Sequence, residues 1–515
     1  MPSSTMEMVQ PSDDLERKVV RNASANLLRL AGSGVIALAL PPFLVRMLPK
    51  DTYGAWALLL QVTLYVGYLD FGVQTAVARF VAHSEELGDT DQRDGILSTA
   101  FAILTSAAVL GYALIAVLIW QFPKMFPQMP GSLRGPAQIA LLFMGGSFAI
   151  GLPVSVIYAY FTGVQRNEVP AVMAIVNKVA MAVCVVGVVL HHKGLAAMGA
   201  AVAAANLLSY LGAYVALRTL ADRVRIRLLL VSKTCVRQIA GYSGTLTIWM
   251  VSMLMISGLD LTVVGIFDYK STAYYAVAAT LTNFLAQALG AIFAALLPAS
   301  AVLAARGDSR RLGTMLVSST RYGMLILLGM ALPLIVAGHF VIRKWAGADY
   351  AQHSTLILQV LLIANVIRLC ALPYSTLLLG TGQQQKVIVS PLAEGVTNLA
   401  ASIAGAYLIG AVGVAIGTLI GAFVGVGLHF FYNMPRTALI SIDRRRLLKD
   451  GLLRPLVCAV PFCLLLPFYS SVVELSRPGE FLLFAASSVG GASLLWNYGL
   501  LRSDRHRLAH ALHLL

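Results

Sequence analysis

Charged residues are scarce in this chain, and their scarcity excludes a soluble globular protein. Only 12% of the 515 residues are Asp, Glu, Lys or Arg, 58% are apolar, and the mean hydropathy is +0.78. Such a composition requires lipid as the solvent. Because lipid offers no hydrogen bonds to the backbone, and because the apolar runs are too long for barrel strands, the sequence predicts an all-α polytopic membrane protein.

Cysteines are few, and the common catalytic motifs are missing. The chain has five cysteines, whose spacing indicates neither a metal site nor a disulfide framework. It has no G-x-x-x-x-G-K-[ST], H-E-x-x-H, CxxC or G-x-S-x-G motif and no long loop that could hold an active site. We therefore predict that the protein is not an enzyme, binds no cofactor and no metal, and transports with energy from an ion gradient or substrate turnover.

Runs of about 20 apolar residues, bounded by charges or turn residues, predict about fourteen transmembrane helices. They are placed at 25–48, 53–82, 95–120, 136–161, 168–190, 194–217, 238–267, 272–298, 315–340, 350–379, 386–408, 410–432, 452–470 and 480–501. Two sets of alternate connecting segments contain 26 and 9 of the 38 Lys and Arg residues. The positive-inside rule then predicts that both termini are cytoplasmic. The net charge of +15 is mainly topological, so no nucleic-acid partner is expected; the basic clusters could also bind anionic lipid.

Short motifs recur about 219 residues apart, which predicts an internal duplication. At this spacing Gly88 pairs with Gly307, Gly163 with Gly382, and an aromatic residue of the segment 53–56 with Tyr275. The predicted fold is two pseudo-symmetric six-helix lobes plus two C-terminal helices. The predicted domains are a cytoplasmic segment 1–24, an N-lobe 25–217, a basic cytoplasmic linker 218–237, a C-lobe 238–432, a basic loop with helices thirteen and fourteen 433–501, and a cytoplasmic tail 502–515.

Six charged residues lie inside the predicted spans: Arg29, Lys178, Arg368, Asp70, Asp260 and Glu394. Each would be costly in contact with lipid, so these groups should face a cavity between the lobes or one another. The amides on the same helices predict that the cavity is hydrated; they are Asn177, Asn283, Gln287 and Asn365. The three basic residues and the four amides are the candidate substrate-cavity residues, and the three carboxylates are candidates for ion coupling.

Structural roles remain alternatives for each of these groups. Arg368 and Glu394 could form an interhelical ion pair, and the amides could join helices. Arg29 and Asp70 lie near the cytoplasmic ends of their helices, where snorkelling is open to them. Helix twelve also has a glycine every fourth residue, which predicts close packing against another helix; the glycines are Gly413, Gly417, Gly421 and Gly425.

One segment carries a family resemblance. Tyr53-Gly-Ala-Trp56, followed by Tyr68-Leu-Asp-Phe-Gly72 and Arg79, resembles the first helical hairpin of bacterial Wzx-type polysaccharide flippases, which belong to the multidrug/oligosaccharidyl-lipid/polysaccharide (MOP) exporter superfamily. The motif positions are Tyr53, Gly54, Asp70, Gly72 and Arg79.

The resemblance implies a MATE/MOP-like fold with a V-shaped pair of lobes and alternating access. The implied function is to move polyprenyl-diphosphate-linked oligosaccharide from the cytoplasmic to the periplasmic leaflet of a bacterial inner membrane, for O-antigen, lipopolysaccharide or exopolysaccharide synthesis. The implied partners are this glycan, membrane lipid and polysaccharide polymerase or assembly proteins. A cation-coupled drug or metabolite antiporter, a flippase of lipid-linked peptidoglycan precursor and a non-transporting scaffold remain open alternatives.

Overall fold

The computed structural model describes residues 32, 34–221, 223–437 and 439–461, together with 489, 490, 493, 494 and 498. All the regular elements of these residues are helical. The α-helices are α1 Gly34–Met47, α2 Lys50–Gly67, α3 Val73–Glu86, α4 Thr90–Met125, α5 Gly131–Gly163, α6 Glu168–Leu190, α7 Leu195–Leu220, α8 Lys233–Met253, α9 Asp260–Phe267, α10 Thr272–Phe293, α11 Leu296–Ala305, α12 Ser309–Trp345, α13 Ala348–Leu369, α14 Leu372–Gly380, α15 Val389–Leu428, α16 Arg444–Arg446 and α17 Arg454–Val457. The predicted segment 1–24, Arg29, the tail 502–515 and most of helices thirteen and fourteen lie outside the described residues.

The prediction of an all-α polytopic membrane protein is confirmed. By length and composition, eight helical segments of the described chain can cross a membrane, and ten can do so if each of two bent pairs is one span. The first bent pair is Lys50–Asp70 with Val73–Glu86, at 42°, and the second divides α8 at Gly244, at 43°. Both bends interrupt apolar runs that the sequence predicts as single helices.

Within the described residues, each of the twelve predicted helices coincides with helical structure. The agreement is closest for α6, whose bounds match the predicted 168–190. Helices α4 and α12 are longer than predicted, because an apolar-run criterion stops at the first charged residue whereas a helix continues into the interfacial region. The linker predicted at 218–237 is shorter, since α7 continues to Leu220 and α8 begins at Lys233.

One predicted repeat is visible in the backbone. Gly88 and Gly307 each follow a helix with φ +67°, and each is followed by an aspartate that caps the next helix. Asp89 accepts from the Gln92 N–H at 2.9 Å, and Asp308 accepts from the Arg311 N–H at 3.0 Å. The same turn therefore begins α4 and α12, as a duplication requires.

A second predicted pair is misaligned by two residues. Gly163 is the last residue of α5, and the residue with positive φ that corresponds to Gly382 (φ +70°) is Gln165 (φ +57°). The Arg166 N–H donates to the carbonyl of Phe161, and the Gln383 N–H donates to that of Leu378 in the equivalent turn. Identity of the glycines was a misleading guide, since the left-handed position is occupied by Gln in one copy.

The chain folds into two compact units, of which we describe the residues given above. The first unit comprises Met1–Ala39, Thr63–Phe122 and Gly135–Thr247, and the second comprises Leu40–Val62, Pro123–Arg134 and Ile248–Leu515. Parts of α1 and α2 thus belong with the C-terminal helices. The linear division into lobes stays a prediction.

The glycine ladder packs as predicted, inside the second unit. The chain reverses within α15 at Ile409 and Gly410, where Gly410 has φ +64°. The four glycines after the reversal then meet side chains or backbone of the half before it; the pairs are Gly413 with Gly405, Gly417 with Ser402, Gly421 with Asn398 and Gly425 with Glu394. A Cβ on Gly421, for example, would lie 2.7 Å from the Asn398 Cβ. This close approach brings the polar residues of the first half into register with the second.

Candidate functional site

Two interrupted helices of the second unit position charged residues. A π-helix at Leu254–Gly258 separates α8 from α9, and Asp260 is the first residue of α9. Helix α13 ends at Leu369 because Pro373 has no N–H to donate to that carbonyl, and Arg368 is therefore in its last turn. Interrupted membrane helices of this kind commonly form the binding sites of transporters.

The structure brings together three of the predicted charged residues, which we call the charge cluster: Asp260, Arg368 and Glu394. Arg368 Nε donates to Glu394 Oε1 at 2.9 Å, so the candidate ion pair is present. Asp260 is near enough to Arg368 for their charges to interact. Asp260 Oδ2 accepts from Thr418 Oγ1 at 3.1 Å and lies 3.4 Å from the Tyr275 hydroxyl. The cluster holds one positive and two negative charges when all three are ionised.

One nitrogen of the Arg368 guanidinium donates to no described residue. Its side chain is 20% exposed, compared with 7% for Glu394. Its Nη2 is buried and has no hydrogen-bond partner in the described part of the chain. A buried guanidinium N–H without an acceptor is unfavourable. This nitrogen is therefore well suited to donate a hydrogen bond to an anionic oxygen of a ligand.

Sequence reasoning missed the polar residues that support the cluster. Asn398 Nδ2 donates to the carbonyl of Met255 at 3.2 Å and to that of Ile256, both in the π-helix. Ser402 Oγ donates to Asn398 Oδ1 at 3.1 Å. These residues lie four and eight positions after Glu394, hence on one face of α15. Polar residues at every fourth position, packed against glycines with the same spacing, are the sequence signal that could have identified Asn398 and Ser402.

Two predicted amides form the open face of α10. Between residues 272 and 291, Asn283 and Gln287 are the exposed side chains, and the large apolar residues are all at least partly covered. The two amides are four residues apart and share a face. Because an exposed amide is unfavourable in hydrocarbon, this face indicates a hydrated surface. Asn365 is partly buried one turn before Arg368 on α13.

Lys178 lies on the side of α6 away from its lipid-facing stripe. The exposed valines of α6 form that stripe, and they are Val172, Val176, Val179 and Val183. At 100° per residue, Lys178 is about 130° from the stripe and aligned with the buried Val185. Its side chain is nevertheless exposed.

Asn177 has the structural role that was the alternative. Its Nδ2 donates to Asn206 Oδ1 at 2.9 Å, and Asn206 Nδ2 donates to Ser147 Oγ at 2.9 Å. This chain of hydrogen bonds joins α6, α7 and α5 in the first unit. Asn177 therefore holds helices together, and these bonds involve no member of the charge cluster.

The hairpin motif divides into two groups of contacts. Its first part packs on α10 in the second unit: Tyr53 is buried, and a Cβ on Gly54 would lie 3.3 Å from the Ala273 nitrogen. The Tyr269 hydroxyl donates to the Asp51 carbonyl at 2.8 Å, and Lys50 Nζ donates to the Tyr274 hydroxyl at 3.1 Å. We call these contacts the α2–α10 junction.

The second part of the motif builds the bend between α2 and α3. Asp70 is buried and accepts from the Gln74 N–H at 3.2 Å, which makes it a helix cap. Gly72 has φ +77°, and a Cβ there would lie 2.7 Å from the Leu246 Cβ. The Arg79 guanidinium lies 4.9 Å from the ring centroid of Tyr242. All these residues belong to the first unit.

A family model described as "Polysaccharide biosynthesis protein" matches residues 19–304, more than half of the chain. The chain belongs to this family. The predicted resemblance is thereby confirmed, and the matched region of this polysaccharide biosynthesis protein includes the hairpin motif, Lys178 and Asp260. A comparison with curated proteins gives no match.

Solved structures of the MOP superfamily share the fold of this polysaccharide biosynthesis protein. A lipid II flippase, MurJ, in an inward closed conformation is 12% identical with a TM-score of 0.69, over 92% of this chain and 98% of that chain. An inward-facing multidrug resistance MATE family transporter is 15% identical with a TM-score of 0.63, over 80% of this chain and 98% of that chain. A MOP superfamily transporter from Pyrococcus furiosus Vc1, whose binding pocket has reverse polarity, is 14% identical with a TM-score of 0.56, over 82% of this chain and 96% of that chain.

Proposed function

We propose that this protein is a flippase that moves polyprenyl-diphosphate-linked oligosaccharide units from the cytoplasmic to the periplasmic leaflet of a bacterial inner membrane. It does so by alternating access, without catalysis, for the synthesis of surface polysaccharide. The family supports the pathway, and the superfamily fold supports a transport mechanism. A glycan headgroup cannot cross hydrocarbon unaided because its hydroxyls and diphosphate would lose their hydration.

The proposed architecture has fourteen spans, with both termini cytoplasmic, arranged as two pseudo-symmetric six-helix lobes and two further helices. The matching turns at Gly88 and Gly307 support the duplication. The distribution of basic residues supports the orientation. In this arrangement the prenyl tail stays in the bilayer while the headgroup follows a polar path.

The unsatisfied Nη2 of Arg368 is the observation that favours a diphosphate ligand. Arg368 uses Nε to hold Glu394, and its buried Nη2 has no acceptor among the described residues. Guanidinium groups bind phosphate oxygens through geometrically fixed, charge-assisted hydrogen bonds. We assign the diphosphate to Arg368, with Arg29 and Lys178 as further cations of the path.

The sugar portion is assigned to the open polar face of α10 and to Asn365 on α13. Asn283 and Gln287 offer amide donors and acceptors on one face, and Asn365 lies one turn from Arg368. Asn177 remains in the proposal as a neighbour of Lys178 that orients α6. Asp260 and Glu394 are the proposed ion-coupling carboxylates; Asp70, which caps α3, is the weakest member of that group.

One observation favours a second candidate, a cation-coupled antiporter. The charge cluster contains two carboxylates and one arginine, and the hydrogen bonds that Asp260 accepts from other described side chains come from two hydroxyls. A partly unneutralised buried carboxylate attracts a proton or a metal cation. Such a site would serve an antiporter of drugs or metabolites as well as it serves a flippase.

Arg368 variants test the flippase proposal in a strain that lacks the chromosomal gene. Arg368→Ala should impair surface polysaccharide production while protein level and insertion stay intact, because one lost charge-assisted hydrogen bond lowers affinity by roughly 10- to 150-fold. Arg368→Lys should be partly active, since it keeps the charge but loses the planar donors. The measurement is surface polysaccharide per molecule of membrane-inserted protein.

Two further variants separate substrate binding from ion pairing. The swap Arg368→Glu with Glu394→Arg should stay inactive if the cation must meet substrate, and should regain activity if only the pair matters. Arg93→Ala is a matched control, since Arg93 is a buried arginine that is likewise held by ion pairs, to Glu85 at 3.0 Å and to Asp94 at 2.8 Å. Its loss should lower protein level but not transport per molecule. Full activity of Arg368→Ala would refute the assignment and favour a non-transporting scaffold.

A further inference from the structure

The segment between α7 and α8 presents two leucines that the described part of the chain leaves uncovered. Leu228–Leu230 forms one turn of 3-10 helix. The exposed fraction is 95% for Leu229 and 72% for Leu228, so neither side chain contributes to a core. Two adjacent leucines with most of their surface uncovered are unfavourable in water, and they favour an apolar environment that the described residues do not supply.

The position of this segment is fixed by hydrogen bonds to α4, in the same unit. The Arg227 N–H donates to Ser98 Oγ at 3.0 Å, and the Ser232 N–H donates to Thr99 Oγ1 at 3.2 Å. Both acceptors are buried in α4. The leucine turn therefore lies beside residues 98 and 99, and its depth in a membrane is that of this part of α4.

The aromatic residue at the other end of α4 gives that depth. Trp120 is 70% exposed, and exposed tryptophans of membrane helices prefer the interface between lipid and water. A hydrocarbon layer of about 30 Å corresponds to about 20 helical residues. Counting about 20 residues back along α4 from Trp120 reaches residue 100, where the opposite boundary of the layer lies. Ser98 and Thr99 thus lie at the opposite interface, and the leucine turn lies with them.

Basic residues surround the turn without any acidic residue between them. Residues 223–237 contain five Lys or Arg and no Asp or Glu, and the basic residues are Arg223, Arg225, Arg227, Lys233 and Arg237. Leucines at the hydrocarbon boundary, flanked by cations, match a leaflet that contains anionic phospholipid.

We propose that residues 223–237 form an interfacial anchor, in which Leu228 and Leu229 enter the acyl region and the flanking cations bind the phosphates of anionic phospholipids. The anchor fixes the connection between α7 and α8 to the cytoplasmic leaflet. It is independent of the transported substrate, so its failure would leave the flippase proposal intact.

Depth-dependent fluorescence quenching tests the apolar part. Leu229→Cys, in full-length protein whose native cysteines are replaced, is labelled with a polarity-sensitive fluorophore and reconstituted into vesicles of brominated phosphatidylcholine. The matched controls are Leu110→Cys, 60% exposed in the middle of α4, and Leu87→Cys, 65% exposed in the turn before α4. All three positions are exposed, so the substitutions disturb no packing.

Each labelled position should give a different result. Bromine near the headgroup should quench the probe at 229, mid-chain bromine should quench the probe at 110, and neither should quench the probe at 87, which lies about 15 Å beyond the boundary along the axis of α4. A probe at 229 that behaves like the one at 87 would overturn the proposal and leave a water-facing protein contact as the explanation.

Replacing the flanking cations tests the phospholipid charge. Brominated phosphatidylglycerol, diluted into phosphatidylcholine, should quench the probe at 229 more than brominated phosphatidylcholine at the same mole fraction. Each of Arg225→Gln, Arg227→Gln and Lys233→Gln should reduce that preference by about fivefold. Backbone hydrogen bonds survive these changes, and Arg343→Gln with Lys344→Gln is the control for overall charge. An equal response to both lipids in the unchanged protein would refute the binding of anionic lipid.

Discussion

A disulfide between positions 54 and 273 should stop transport while leaving the protein folded. Gly54 belongs to the predicted N-lobe and Ala273 to the predicted C-lobe, and both lie at the α2–α10 junction. A Cβ on Gly54 would lie 3.7 Å from the Ala273 Cβ. Disulfide-bonded cysteines have Cβ atoms about 3.5–4.5 Å apart, so Gly54→Cys with Ala273→Cys can be oxidised with little backbone movement.

The hydrogen bonds at the junction are individually weak, whereas a disulfide is covalent. The hydrogen bond from Tyr269 to Asp51 contributes about 1 kcal/mol, and the charge-assisted one from Lys50 to Tyr274 contributes about 1.5–3 kcal/mol. Exchange between two states that differ by a few such contacts remains possible at physiological temperature. A covalent bond removes the separated state altogether. If transport requires α2 to leave α10, the oxidised protein should be inactive and a reductant should restore it.

The assay is the appearance of lipid-linked glycan at the outer leaflet of spheroplasts, before and after oxidation. The single variants Gly54→Cys and Ala273→Cys measure the effect of each side chain. Gly111→Cys with Ala149→Cys is the matched cross-link inside the predicted N-lobe, since a Cβ on Gly111 would lie 3.5 Å from the Ala149 Cβ between α4 and α5. Full transport by protein shown to be cross-linked at 54 and 273 would refute the requirement for separation.

Three stability changes should follow from close contacts. Gly72→Ala should destabilise the protein by about 2–3 kcal/mol, since φ is positive and the new Cβ would meet Leu246; the thermal unfolding temperature in detergent should fall. Gly421→Val should cost more, because it separates the halves of α15 at Asn398, and membrane-inserted protein should decrease severalfold. Asn206→Leu should lower stability by about 1–3 kcal/mol yet leave transport per molecule unchanged; a transport defect would place that residue in the path instead.

The helices were predictable because lipid imposes a simple rule. A segment that crosses hydrocarbon must be apolar for about 20 residues and must satisfy its own backbone, so composition alone locates it. The boundaries of α6 follow directly from this rule. The same rule gave the depth of Arg368 and Glu394, and hence the expectation that they meet.

The interruptions of the helices were not predictable in the same way. The π-helix at Leu254–Gly258 is stabilised by Asn398, which donates to its free carbonyls from more than 140 residues away. Thr418 donates to Asp260 across a similar separation. Local patterns do not encode such partners, because an Asn or Thr in a membrane helix has many other ways to satisfy its hydrogen bonds.

The motif residues show why a family pattern is not yet a binding site. Gly54 and Gly72 lie where the backbone closely approaches another helix, and Asp70 caps a helix. Their contacts fix the hairpin to α10 and to α8. The pattern identified the family from residues that build the scaffold, whereas the charge cluster required the three-dimensional arrangement of α9, α13 and α15.

At the charge cluster, a bound cation should favour substrate binding in one candidate function and oppose it in the other. With Asp260, Arg368 and Glu394 ionised, the cluster has a net negative charge. An unpaired charge about 4 Å from another interacts by about 4 kcal/mol at an effective dielectric constant of 20, so a diphosphate at Arg368 would be opposed by Glu394 until a cation or proton neutralised a carboxylate. Cation and anionic lipid would then favour each other's binding, and by linkage the effect is reciprocal.

A cationic drug would compete with the same ion for the same carboxylates. Cooperation between ion and substrate is thus the behaviour of a flippase at this site, and competition is that of an antiporter.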